Sequence, residues 1–480
     1  MKKRFVNVLT ILLAVAVGAC MSNVVRLVQN QSMLSATSAS ASQDDEEAKF
    51  AQIGQIYYSL MNDYYEELDS TALIEGAIEG MMAVTGDPYT FYYTVDEWAE
   101  MLADDEGEYA GIGIQVLQGE ASDSLLVTRS FADSPAAKAG IKAGDRIVAV
   151  DGYPIARALG GTESYALPTA SPDAQTEDED KDWPTNSTEL LEYMRGAEGT
   201  SVTLTILRGD EYIDCEITRE VIHMNRVEYC MLDDGTDGTK VGYMVIYEFQ
   251  GDAAEGVKEA VNYFNENGAQ ALIVDVRNNP GGNLDVVTSI AETLLPEGLY
   301  AYIEDRHGNR QEFYSDADCW GKPMAILVNG YSASASELLT GAAQDMGAAT
   351  IVGETTFGKG IVQSVQPLSD GSCFQMTTAR YYTPSGHVIQ GNGIEPNITV
   401  ELDENVDQNT LSSMITQGSL DWQSYDTQLM AAYEAVTKMI DEDWTLPEST
   451  DATDAESTEE ADTSADDEAA YAPLLPINSI

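Results

Sequence analysis

The spacing of apolar positions changes several times along this chain, and each change marks a different kind of element. An uncharged run from Phe5 to Val25 follows the basic start Met1 to Arg4, the pattern of an export signal and long enough for one membrane-spanning helix. Between 47 and 103 the period turns helical, with Phe50, Ile53, Ile56 and Tyr57 on one face. At 107–116, GEYAGIGIQV, Gly111 and Gly113 alternate with Ile112 and Ile114, so a turn whose amides can converge on a carboxylate leads into a strand. Residues 134–152 and 188–209 add a short Ala-rich helix, a Gly-Asp turn, a strand, a helix and a strand. Further on, 240–249 predicts a strand, 252–268 a helix stopped by Gly268, and 271–282, ALIVDVRNNPGG, a strand running into a glycine turn. Strand, helix and strand at these lengths predict an α/β unit with parallel pairing. From Ile326 a short apolar strand passes through a turn into Ser332, Ser334 and Ser336, and a helix starts near Ser334 with Leu338, Leu339, Ala342 and Ala343 at helical spacing.

These changes predict a multidomain chain of mixed α/β and α+β class. Its parts are a signal anchor or lipoprotein signal (1–26), a Ser/Ala/Gln-rich linker (27–46), a helical arm (47–103) and a small β-barrel-like domain (104–220). They continue with an α/β body built on a mixed sheet (221–401), a C-terminal helical region (402–441) and an acidic tail (442–480) expected to be disordered. A polar acidic insertion, 157–186, interrupts the β domain and reads either as a surface loop or as a gate over a groove. At the N-terminus three readings stay open: an uncleaved anchor, a simple cleaved signal, and a lipoprotein signal in which Val17, Gly18 and Ala19 precede a lipidated Cys20. The Tyr-rich face of the arm, with Tyr57, Tyr58, Tyr64 and Tyr65, reads as core or as a dimer contact.

Composition narrows the function. The net charge of −57 over 480 residues excludes nucleic acid as a partner, because phosphate binding needs concentrated Lys and Arg. Cys215, Cys230, Cys319 and Cys373 lack CxxC spacing, which argues against a zinc or redox site and leaves disulfides or buried thiols as alternatives. Only 3 His occur, at 223, 307 and 387, and none lies in a segment that also offers the acid of a Ser/His/Asp triad. Ser334, at a strand-to-helix junction, sits where a helix dipole stabilises a developing alkoxide. Lys359, beside Phe357, Ile361 and Val362, offers a base, since burial disfavours its ammonium form. The plainer alternative is that Ser334 caps a helix and Lys359 snorkels from a strand edge.

Several motifs together resemble one family. SASASE at 332–337, Gly-Lys at 358–359, Gln363, the NPGG turn at 279–282, TPSG at 383–386 and GIEP at 393–396 resemble the carboxyl-terminal processing peptidases, also called tail-specific serine proteases. The likeness runs over roughly 50–400, and 104–220 resembles the embedded PDZ domain of such enzymes. The resemblance implies Ser334 as nucleophile, Lys359 as general base and Gln363 as the residue orienting it. It also implies an oxyanion hole from Gly281 or Gly282 with Ala335, and Gly111, Ile112, Gly113 and Ile114 as the carboxylate-binding loop of the PDZ domain. No metal or cofactor is called for.

The expected partners are protein or peptide substrates with exposed apolar C-termini, the membrane through the N-terminus, and a second copy through the helical regions. The expected place is the bacterial cell envelope outside the cytoplasmic membrane. Two rivals remain: a catalytically silent PDZ adaptor with a peptidase-like body, and an acyl-CoA enzyme, which leaves the PDZ segment and the export signal unexplained.

Overall fold

The computed structural model describes residues 40–106, 108–118, 123–131, 133–161, 183–232, 238–403, 406, 408–442, 444–446 and 478–479. The run from Phe5 to Val25 with Cys20, most of the 157–186 insertion and most of the acidic tail lie outside them. Among the described residues no helix is long and apolar enough to cross a membrane. Two compact units divide the chain after Gly86.

The first unit contains α1 (Ser40–Asp63) and α2 (Ser70–Ala83), the latter started by Asp69, whose carboxylate accepts the N–H groups of Thr71 and Ala72. Phe50, Ile53, Ile56, Tyr58, Tyr64 and Tyr65 are exposed, so the reading of this face as core does not hold within the chain.

The second unit opens with β1 (Phe91–Tyr93) and α3 (Val95–Glu106). A small β domain follows, consisting of β2 (Glu108–Gly111), β3 (Ile114–Gln118), β4 (Leu125–Ser130), α4 (Pro135–Lys138), β5 (Arg146–Val150), β6 (Tyr153–Pro154), α5 (Ile155–Ala158), α6 (Ser187–Met194), β7 (Ser201–Arg208), β8 (Glu211–Thr218) and β9 (Glu220–His223). Its strands run in the order β3-β4-β5-β7-β8, all antiparallel, while β2 pairs with β9. Alternation with period two sends Ile114, Val116, Val202, Leu204 and Ile206 inward against Leu190 and Met194 of α6.

The α/β body comprises β10 (Val227–Leu232), β11 (Val241–Ile246), α7 (Ala253–Glu266), β12 (Ala271–Asp275), α8 (Leu284–Leu294), β13 (Gly298–Asp305), β14 (Arg310–Ser315), β15 (Met324–Val328), α9 (Ala335–Asp345), β16 (Thr350–Gly353), β17 (Ile361–Pro367), β18 (Cys373–Tyr382) and β19 (Ile398–Thr399). The chain continues with α10 (Gln408–Thr416), α11 (Trp422–Tyr425), α12 (Thr427–Asp441) and β20 (Asn478–Ser479). The main sheet has the order β10-β11-β12-β15-β16-β19, antiparallel at β10/β11 and parallel elsewhere. Helices α7 to α9 cover one face and α10 to α12 the other, and a sheet covered twice leaves neither face of its central strands to solvent. That is why β11, β12 and β15 are buried throughout.

Leu429, Ala432 and Val436 of α12 pack with Ile273, Leu327 and Val352, and buried Arg277 ties Asp275 to Asp426 at 2.6 and 2.9 Å. This apolar face, expected to serve a dimer, is spent inside the chain. A second sheet, β1-β18-β13-β14 with β17 on β18, carries the early residues 87–93 to the body. Arg129 of the β domain is buried, stacks 3.6 Å over the Tyr247 ring and pairs with Glu228 of β10 at 2.9 Å.

The cysteines correct one alternative: Cys215, Cys230, Cys319 and Cys373 are all free thiols, and burial pushes Cys230 up to about 12. The acidic tail supplies a second correction. Its residues Asn478–Ser479 form a strand on β3, which composition alone did not predict.

Candidate active site

Strand β15 delivers the serine turn. Asn329, just past its end, accepts the N–H groups of Asn278 and Tyr331 through Oδ1 at 3.0 and 3.1 Å, and its Nδ2 donates to Asn278 Oδ1 at 2.8 Å. The serine turn and the NPGG turn are therefore laced together. Ser332 Oγ donates to Val276 O at 2.7 Å and Ser336 Oγ to Asn279 O at 2.9 Å, so both hydroxyls are spent on backbone. Among the described residues Ser334 Oγ donates to no backbone carbonyl. Ser334 holds φ 56° and ψ −113° immediately before α9. A non-glycine residue in such a conformation stores about 1–3 kcal/mol of strain and persists only where its surroundings enforce it.

Glu337 supplies that enforcement. Its carboxylate is fully buried, and Oε2 accepts Ser334 N at 2.9 Å and Lys359 N at 2.8 Å. Oε1 accepts Thr356 Oγ1 at 2.6 Å and Gly358 N at 2.7 Å. One carboxylate thus fixes the backbones of both residues that the sequence nominated. Burial pushes its pKa up, opposed by the hydrogen bonds from Thr356, Gly358, Lys359 and Ser334.

Lys359 is half-buried, with Nζ 4.2 Å from the centre of the Tyr89 ring. Burial lowers its pKa from the ordinary 10.5, while the charges of Asp87 and Glu337 act the other way. Asp87 is held by Thr377 Oγ1 at 2.6 Å, Thr90 Oγ1 at 2.7 Å and Tyr89 N at 2.9 Å. Burial alone would raise the Asp87 carboxyl, but these hydrogen bonds and the Lys359 charge carry it below its ordinary value. Gln363 lies opposite Thr377 beside a register shift in β17/β18, and its Nε2 reaches Thr377 Oγ1 at 3.5 Å. Among the described residues no hydrogen bond joins Lys359 Nζ to Gln363 or to Ser334 Oγ.

Gly281 has φ +107°, and a Cβ there would meet Ser334 Cβ at 2.8 Å and Ala335 N at 3.0 Å. Only glycine leaves that space open beside the serine. Its own N–H donates to Asn279 Oδ1 at 2.9 Å, so Gly281 is already engaged where the resemblance had it as one candidate oxyanion donor. Gly282 lies against the backbone of Phe249, and Ala335 begins α9.

In the β domain the side chains of Ile112 and Ile114 are fully buried core, which leaves only backbone to that loop for contacting a ligand. The carbonyls of Ile112 and Gly113 accept the N–H groups of Ala136 and Phe131 at 2.9 and 3.0 Å. Gly113 has φ +82°, and a Cβ there would lie 2.3 Å from Ser134 Cβ. Gly111 ends β2. His387 sits in a loop with Nε2 2.9 Å from Gly393 O, and His307 lies beside Arg306 on the surface.

Sequence reasoning missed three contributors. Glu337 was visible in principle, since Ser-x-x-Glu from Ser334 to Glu337 is a capping-box pattern. Asp87 and Tyr89 were grouped with the helical arm, and nothing local in GDPYT connects them to Lys359.

A strained serine on a strand-to-helix turn, clamped to a partly desolvated lysine above a mixed sheet covered on both faces, is an arrangement suited to serine-peptidase chemistry. Comparison with known proteins agrees: residues 240–400 match "Peptidase family S41", 13–97 match "Activating protease CtpB N-terminal domain" and 126–166 match "PDZ domain". The S41 peptidase match spans the α/β body, and the PDZ match falls in the small β domain. It is 33% identical over 360 residues to proteins named "Probable CtpA-like serine protease" from Staphylococcus aureus (strain MSSA476) and Staphylococcus haemolyticus (strain JCSC1435). Each match covers 74% of this chain and 66% of the relative, just under two thirds of its length. Among solved structures, "Photosystem II D1 C-terminal processing protease" is 26% identical, with 76% of this chain and 91% of that one covered at a TM-score of 0.45.

Proposed function

We propose that this chain is a serine endopeptidase acting outside the cytoplasm, in which the PDZ domain presents a substrate tail and Ser334 attacks the peptide bond. The observation that carries this is the Glu337 carboxylate bonded to the backbone N–H of both Ser334 and Lys359. Neutral Lys359 takes the Ser334 Oγ proton as Oγ bonds to the scissile carbonyl carbon. The N–H groups of Ala335 and Gly282 are the donors assigned to the resulting oxyanion, because Gly281 is engaged by Asn279. Collapse expels the amine, which leaves with the proton from Lys359, and water then hydrolyses the acyl-serine with the lysine again as base. For the first step the amine must come within hydrogen-bond reach of Ser334 Oγ, a contact that commonly tightens only with substrate bound. Gln363, opposite Thr377 at the register shift in β17/β18, is assigned to orient the lysine.

Incubation of the chain with an unfolded protein bearing an apolar C-terminus should give cleavage that Ser334→Ala abolishes. A fluorophosphonate probe followed by peptide mass spectrometry should modify Ser334. Label confined to Ser332 or Ser336 would sink the assignment, as both hydroxyls would then have had to abandon their backbone acceptors. Binding of the tail without any Ser334-dependent cleavage would favour the silent adaptor.

A further inference from the structure

We propose that the peptide-binding edge of the PDZ domain is occupied by this chain's own residues around Asn478–Ser479, so that a substrate tail has to displace them. The proposal rests on the reading of this domain as a tail-binding module and names its resident occupant.

Strand β20 pairs antiparallel with β3, with Asn478 opposite Val116 and Ser479 opposite Gln115. Without it β3 ends the sheet, since the order is β20-β3-β4-β5-β7-β8. An edge strand presents a row of backbone donors and acceptors, and strand addition to such an edge is how an extended peptide is captured. The register has a direction: each step toward the C-terminal end of β20 moves back one position on β3, toward Ile114 and the Gly111–Gly113 turn. That is the course a bound substrate tail would follow. The sequence supports the same occupant. After an acidic stretch poor in apolar residues, Leu474, Leu475, Ile477 and Ile480 return within seven positions, flanking the residues paired with β3. A tethered ligand competes at effective concentrations up to the millimolar range, so even a weak segment holds the edge against dilute substrate.

The test is fluorescence anisotropy with a labelled peptide of residues 474–480, LLPINSI, in the Ser334→Ala background so that no cleavage intervenes. Truncation after residue 473 should bind this peptide at least ~10-fold tighter than the full-length chain, because the tethered competitor is gone. Asn478→Pro, which removes a strand N–H without touching the PDZ domain, should behave like the truncation. Equal affinity of full-length and truncated chains would overturn the proposal, as would a difference that grows with protein concentration, which would mean capture by a second copy. A second labelled peptide, ending Ser-Ser-Ala-Leu-Val, separates the two readings. If the truncated chain binds it but not LLPINSI, the self-occupancy fails and tail binding stands; if it binds neither, both fail.

Discussion

Lys359→Arg should lower kcat/KM on an unfolded protein substrate by about 10³-fold, the typical contribution of a general base, while leaving the melting temperature nearly unchanged. Arginine keeps a cation against Tyr89 and preserves the backbone N–H that Glu337 accepts, but it does not deprotonate at working pH. The wild-type pH profile gives the same argument a sign. Burial lowers the lysine pKa, so the neutral, competent form gains population as pH rises and kcat/KM should climb through an inflection below the ordinary 10.5. Below that inflection the amine is protonated and the proton of Ser334 has no acceptor. Retained turnover in Lys359→Arg, or a profile with no limb attributable to an amine, would return the search to the histidines.

The second large effect is expected at Glu337. Glutamine matches its shape but supplies one acceptor oxygen and an amide that itself donates, so two of the four groups now bonded to the carboxylate would face a donor. Leaving buried donors unsatisfied costs about 1–3 kcal/mol for each group. Glu337→Gln should therefore lower the unfolding free energy in urea by roughly 2–6 kcal/mol and slow fluorophosphonate labelling of Ser334. Both readouts are needed: lost stability alone would describe a buried cap, whereas slower labelling per folded molecule shows that the strained serine geometry depends on it. Unchanged stability with unchanged labelling would remove Glu337 from the site.

Much of this architecture follows from local pattern. The largely apolar runs at 241–246, 271–274 and 324–328 suit strands covered on both faces, and they form the centre of the main sheet. The glycines at 113 and 281 announce positive φ and close approach, which the structure uses against Ser134 and Ser334. Among three neighbouring serines, helix-start geometry and the spacing of the resembling family point to Ser334; in the folded chain Val276 O and Asn279 O consume the other two hydroxyls.

Local pattern therefore fixes short-range matters: which segments are strands or helices, where the chain must turn through glycine, and that a serine at a helix start is followed by a lysine among apolar neighbours. These depend on period and on residues a few positions apart. The tertiary structure decided everything that needs distant segments to meet. Pairing of β1 with β18 is what sets Asp87 and Tyr89 beside Lys359, and burial of α12 on the sheet is what removes its apolar face from any dimer contact. It also decided that β3 is met by Asn478–Ser479. The physical reason is that pattern records which surface a segment must bury, while the choice of partner depends on competition among all segments carrying a matching surface or a free strand edge.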